Sequence, residues 1–282
     1  MRTFLALCAL LAALAPSFAA DKEPVYDRVM RTGTIRVGYL SSPPGVIRDP
    51  NTGKMSGIAV EALERAAANL QLKVEYVEEV QWGTMIEGLQ TGRYEVAMMC
   101  WADAARARQA DFSVPLFYSA VNAYARPDDK RFANGLEAAM NDPSVRIATV
   151  DGDVTETIAK SRFPGARTVS LPQNADIAQL MLSVTTKKAD VDFEEAASAQ
   201  YFLQHNPGSI RNVTPDKPVG ICPNVLVYPR DQYAFKAMLD HAFEELIDLG
   251  YIDRLIRQYE PFPGALLPPA PPYQPVPAKA SK

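Results

Sequence analysis

Two rhythms of apolar and polar positions alternate along the chain. TIRVGYL (34–40) is a continuous apolar run of strand length, and GIAVEALERAAANLQL (57–72) repeats apolar residues at helical spacing. KVEYVEEV (73–80) alternates as a half-buried strand does, GTMIEGLQTG (83–92) reads as a short helix closed by Gly92, and YEVAMM (94–99) is again a strand. The order restarts at VRIATV (145–150), followed by a helix after Asp153, a strand at RTVSL, a helix from Asn174 or Ala175 and a strand at KADVDF. Strands alternating with helices predict mostly parallel sheets covered by helices on both faces, and the restart makes two such α/β units.

Between the units, ARPDDKRFANG (125–135) is polar and turn-rich, as expected where a chain leaves one unit for another. The return passes through VTPDKPVGICPNVLVYPRD, in which NVLVY reads as a strand. A helix over 231–249 follows, with Phe235, Leu239, Phe243, Leu246 and Leu249 near one stripe, a pattern of core packing. Residues 261–282 hold eight prolines, which predicts an extended tail without a core.

The amino terminus, MRTFLALCALLAALAPSFAA, places basic Arg2 before an apolar run and a Pro-Ser break before small residues. This is the layout of a secretory signal peptide, residues 1–20, cleaved after Ala19 or Ala20. A lipid anchor at Cys8 is disfavoured by the large Leu7 before it. The leader predicts an exported, periplasmic protein. Lys and Arg number 29 against 33 Asp and Glu. Loss of Arg2 makes the remainder slightly more acidic, which argues against nucleic acid, since phosphate binding needs concentrated positive charge. His205 and His241 lie apart in the sequence, so a metal cluster or histidine-based triad has no support, and no phosphate-binding glycine loop is present. No cofactor is expected.

MSGIAVEALERAAANLQLKVEYVEEVQWGTMIEGLQTGRYEVAMM followed by ARARQADFSVPLFY resembles the first lobe of the family 3 extracellular solute-binding proteins, the polar amino-acid receptors of ABC transporters. The resemblance covers roughly residues 34–260. It implies a two-lobed type II periplasmic binding protein fold, an α/β architecture in which each lobe is a mostly parallel sheet flanked by helices. Two crossover strands would join the lobes, with the ligand in the cleft between them. Lobe 1 would then be residues 21–123 and 224–260, and lobe 2 residues 124–223. The function implied is hinge-driven binding of a small amino-acid-like or carboxylate-bearing solute by a monomer that delivers it to an inner-membrane ABC permease.

Site residues follow from the same resemblance. Arg106, six residues before the Phe of Asp-Phe-Ser, matches the arginine that forks a ligand carboxylate, a contact that a planar guanidinium makes and lysine cannot. Arg108 reads as solvated. Glu195, at the end of a strand in the second lobe, matches the acid that takes the ligand's amino group. Trp82 matches a stacking aromatic, and Tyr39 and Trp101 are further wall candidates. Asp153 and Thr155 stand where relatives carry a turn aimed at the carboxylate. Two departures weigh against an ordinary α-amino acid. Met99 and Trp101 replace a glycine and a small hydroxylated residue, and the acidic VDGDVTE replaces a glycine- and hydroxyl-rich turn. Asp153 alternatively only caps its helix.

With the family's sheet order, the strand ending at Cys100 lies antiparallel to NVLVY, which begins just after Cys222, so a Cys100–Cys222 disulfide is expected. The alternative is two buried thiols. Two other functions stay open: a dehydratase using Glu194 or Glu195 as general acid, and an accessory protein of a periplasmic dehydrogenase.

Overall fold

The structure, a computed structural model, describes residues 22–151, 153–172 and 174–269. The expected signal peptide lies outside the described residues. The elements in chain order are α1 (Val25–Thr32), β1 (Thr34–Tyr39), β2 (Ile47–Arg48), β3 (Met55–Ser56), α2 (Ile58–Asn69), β4 (Lys73–Glu79), α3 (Met85–Thr91), β5 (Val96–Trp101), β6 (Ala110–Phe112) and β7 (Phe117–Ala125). Then come α4 (Leu136–Ala139), β8 (Arg146–Val150), α5 (Val154–Arg162), β9 (Arg167–Leu171), α6 (Ile177–Thr185), β10 (Val191–Glu195), α7 (Ala196–His205), β11 (Arg211–Asn212), β12 (Gly220–Pro229), α8 (Tyr233–Asp248), α9 (Tyr251–Tyr259) and β13 (Leu266–Leu267). A 3-10 turn over Arg106–Arg108 separates β5 from β6.

One sheet runs β4-β1-β5-β12-β7-β10-β8-β9, with β6 on β12 and β11 and β13 on β7. β1 is parallel to β4 and β5, and β8 is parallel to β9 and β10. Between these parallel halves, β7 and β12 pair antiparallel with each other and with their neighbours β10 and β5. Each half carries apolar clusters on both faces. In the first, Ile58, Leu63, Phe235 and Phe243 pack on one side and Met85, Leu89 and Tyr94 on the other. In the second, Phe132, Phe163 and Phe193 oppose Leu180, Met181 and Phe202.

Two glycines explain how α3 is seated. Tyr94 is fully buried between Gly38 of β1 and Gly88 of α3, where an added Cβ would stand 2.6 Å and 2.2 Å from the tyrosine side chain. The Tyr94 hydroxyl donates to the Met85 carbonyl at 2.8 Å, fixing the first turn of α3 and the Trp82 turn before it.

Two expectations are corrected here. The segment from residue 261 is not wholly without a core: Leu266 is 2% exposed and pairs with Ser119 of β7. The apolar run Ala265–Leu267 needs only one row of ladder hydrogen bonds, which a neighbouring proline does not prevent at a sheet edge. Residues 270–282 lie outside the described residues. Cys100 and Cys222 are free and buried. Cys100 faces Val225 across the β5–β12 ladder, whereas Cys222 faces Ser119 across the β12–β7 ladder. Three residues of strand separate Cys222 from Val225, roughly 10 Å at 3.3 Å per residue, beyond the reach of a disulfide. Burial pushes both thiols up to about 12, which keeps them unreactive.

Candidate functional site

Strands β5, β8 and β10 point their carboxyl ends at one another across β7 and β12. There they enclose a cleft of about 470 Å³, in the range of a small-molecule site. The strand ends supply Trp101, Val150 and Glu195, the 3-10 turn supplies Arg106, and the start of α5 supplies Asp153 and Thr155. Trp82 enters from the turn before α3. Six of the seven residues expected to touch a ligand therefore line one cavity.

Tyr39 does not. Side chains alternate faces along a strand, and Tyr39 is turned toward the α2 side, edge-on to Tyr76 at 6.0 Å, in the core. Its neighbour Leu40 packs instead in the cluster that holds Trp82.

Arg106 is held by both halves of the molecule. Its backbone N–H donates to Asp103 Oδ1 at 2.8 Å, its Nη1 donates to the Trp101 carbonyl at 3.3 Å, and Nη1 lies 3.1 Å from Asp103 Oδ2. Across the cleft, its Nη2 lies 3.6 Å from Asp153 Oδ2. Arg108 is exposed, as expected of a solvated residue. Asp153 also caps α5, its Oδ1 accepting from the Thr155 N–H at 3.0 Å and from the Thr155 hydroxyl at 3.0 Å. Asp153→Ala should therefore cost about 1 kcal/mol of stability, while Asp153→Asn, which keeps the capping oxygen, should cost less than about 0.5 kcal/mol. Equal melting temperatures for the alanine variant and the parent would contradict the cap.

Glu195 is 8% exposed, and its Oε1 accepts from the Ser198 hydroxyl at 3.2 Å. Glu194 is 3% exposed, lines the same cleft, and accepts from the Glu195 N–H at 2.9 Å. Neither has a cationic partner among the described residues. Burial raises the Glu195 carboxyl above its ordinary value against the opposing hydroxyls of Ser119 and Ser198. Burial, then the charges of Asp192 and Glu195, raise Glu194 well above its own. Sequence reading singled out Glu194 only as a candidate acid and passed over Asn224 and Gln109, which also line the cleft. The signal for Glu194 was there: Asp192 and Glu194, two apart on a strand, share a face.

The family model for bacterial extracellular solute-binding proteins, family 3, matches residues 35–262. The chain belongs to this family. Cyclohexadienyl dehydratase of Pseudomonas aeruginosa is 25% identical over 82% of this chain and 84% of its own length. A probable amino-acid ABC transporter-binding protein of Haemophilus influenzae is 33% identical over 42% of this chain and 47% of its own. The crystal structure of an ancestral amino acid-binding protein, a precursor of cyclohexadienyl dehydratase, superposes with a TM-score of 0.68 at 22% identity. The match covers 84% of this chain and 99% of that one. The fold is that of the type II periplasmic binding proteins, and this solute-binding protein carries its cleft where open α/β sheets place ligands, at the carboxyl ends of the strands.

Proposed function

We propose that the protein is a periplasmic receptor that closes two lobes, residues 21–123 with 224–260 and residues 124–223, over a small amino-acid-like solute and presents it to an inner-membrane ABC permease. One observation carries the reading: polar side chains from the two halves of the sheet, Arg106 after β5 and Glu195 at the end of β10, line the same cleft. Trp82 and Trp101 add flat apolar walls. The connections between the halves are β7 and β12, a narrow pair of strands about which a hinge motion closes the cleft. A family of solute-binding proteins, with an amino-acid transporter-binding protein among the relatives, supports delivery to a permease.

The test is a thermal-shift screen against amino acids, amines and small organic acids, followed by calorimetry, because a ligand that binds the folded state raises the melting temperature by mass action. Glu195→Gln should weaken the best ligand at least about tenfold, the scale of one lost charge-assisted contact, without lowering the melting temperature. Unchanged affinity would remove Glu195 from the site.

One observation favours a second reading, dehydration of a carboxylated ring compound. Glu194 is a buried carboxyl facing the cleft and shifted toward its protonated form, as a general acid that delivers a proton to a departing hydroxyl must be. The dehydratase among the relatives is in keeping with it. Turnover of a cyclohexadienyl acid, followed by the ultraviolet absorbance of an aromatic product, would establish catalysis; tight binding without conversion would leave the receptor.

A further inference from the structure

Resting on the receptor reading, we propose that the cleft selects a small organic amine with no carboxylate over the α-amino acid of the same skeleton. Among the described cleft residues the charged groups are Glu87, Asp151, Asp153, Glu194, Glu195 and a single cation, Arg106. That cation already has its anions. Asp103 of the same loop lies 3.1 Å from Nη1, and Asp153 from the opposite half lies 3.6 Å from Nη2. The Trp101 carbonyl takes a further donor, and the Arg106 side chain is 14% exposed.

A ligand carboxylate must either displace Asp153 from Arg106 or share the guanidinium with it. Asp153 is pinned, because its other oxygen accepts both Thr155 donors, so moving it opens the cap of α5. A carboxylate that left Asp153 in place would sit beside Asp151 and Asp153 and meet, among the described cleft residues, only an Arg106 whose charge Asp103 and Asp153 already offset. The amine end faces the reverse situation. Glu194 and Glu195 present carboxyls with no cationic partner among the described residues, and Trp82 and Trp101 line the same cleft, indole rings being the aromatic groups that attract ammonium and guanidinium most strongly. An ammonium entering there restores to each acid the opposite charge that burial denies it.

Matched pairs differing by one carboxylate test this: agmatine and arginine, putrescine and ornithine, cadaverine and lysine, titrated calorimetrically into the protein. The decarboxylated member of at least one pair should bind tenfold or more tightly than its amino acid. Glu195→Gln should weaken that amine tenfold or more. Asp153→Asn, which keeps the cap and removes the charge, should tighten arginine and narrow the agmatine preference at least threefold. An amino acid binding as tightly as its amine, or an unchanged preference in Asp153→Asn, overturns the inference while leaving the receptor standing. If none of the six binds, the inference falls, and the receptor reading is then decided separately by the wider screen for any stabilising solute.

Discussion

Replacement of Asp190 by alanine lowers folding stability by about 2–3 kcal/mol and leaves ligand affinity unchanged. Asp190 stands just before β10 with 3% of its surface exposed. Its Oδ1 accepts from Arg126 at 3.0 Å and from Arg131 at 2.8 Å, and its Oδ2 accepts from the side chain of Arg146 at 2.9 Å and from that residue's backbone N–H at 3.0 Å. Removing one member of a fully buried ion pair costs about 3–5 kcal/mol because the partner is stranded. The loss here falls below that range for two reasons. Arg131 and Arg146 reach water, and Asp129 remains 3.0 Å from Arg126 and 2.6 Å from Arg131. Affinity is spared because Asp190 is at the amino-terminal end of β10, opposite the end that opens on the cleft. Burial by itself would raise the Asp190 carboxyl, but the hydrogen bonds from Arg146, Arg126 and Arg131 overcome it and hold the carboxyl below its usual range. A depressed carboxylate stabilises the fold above its unfolded value of about 3.9, and that contribution fades in acid. Urea unfolding at pH 7 and pH 3 should therefore show the gap between parent and variant narrowing at the lower pH. A gap of constant size would mean the arginines are not what holds Asp190.

The alternation of strands and helices was legible because burial on one or two faces imposes its own period. Segments such as β1, α2, β4 and β10 stand close to where that period placed them. The predicted helix over 231–249 is α8, Tyr233–Asp248, and a second helix, α9, follows where Gly250 adopts a left-handed turn with φ of 68°. What period does not carry is partnership. β6 and β13 are two or three residues long, too short for alternation to register, and they exist because β12 and β7 offer open edges beside them. The cysteine pairing failed on register for a related reason: strand order brings β5 beside β12, but the offset of three residues is set by how the chain turns into β12.

The site divides in the same way. Trp82, Trp101, Arg106, Asp153, Thr155 and Glu195 fall on one cavity because element ends are readable and strand ends converge. Tyr39 failed because the last residue of a strand faces one side or the other by a single step. The contact between Arg106 and Asp153 was not legible at all. It joins a loop after β5 to the cap of α5 on the other half of the sheet, and local sequence says nothing about their distance. That contact changes the chemistry most, since it turns a free guanidinium into a neutralised one.

Two residues beyond Asp190, the opposite result is expected: Asp192→Asn should stabilise the protein at pH 8 by about 1–3 kcal/mol. Asp192 has no exposed surface, and neither carboxylate oxygen has a hydrogen-bond partner among the described residues. It lies opposite Tyr124 of β7 and Ala148 of β8, on the face that α6 and α7 cover. Burial, opposed by the Phe193 backbone N–H and helped by a smaller push from the charge of Asp153, raises its carboxyl to about 7. The unfolded group releases its proton near 3.9, so between about pH 4 and 7 folding takes a proton up. Stability from this residue is thus complete below about pH 4, falls as pH rises, and reaches its full loss above 7. A shift of about three units sets a ceiling near 4 kcal/mol, and asparagine recovers less because its amide is also left without partners. Urea unfolding should find parent and variant close together at pH 5 and the variant ahead at pH 8. A difference that does not change between the two pH values would mean that Asp192 is ionised in the fold. The same substitution reaches the cleft: Asp192 is the foremost charge holding Glu194 above its ordinary value after burial itself. Its removal should let Glu194 ionise at lower pH and so meet a cationic solute more readily.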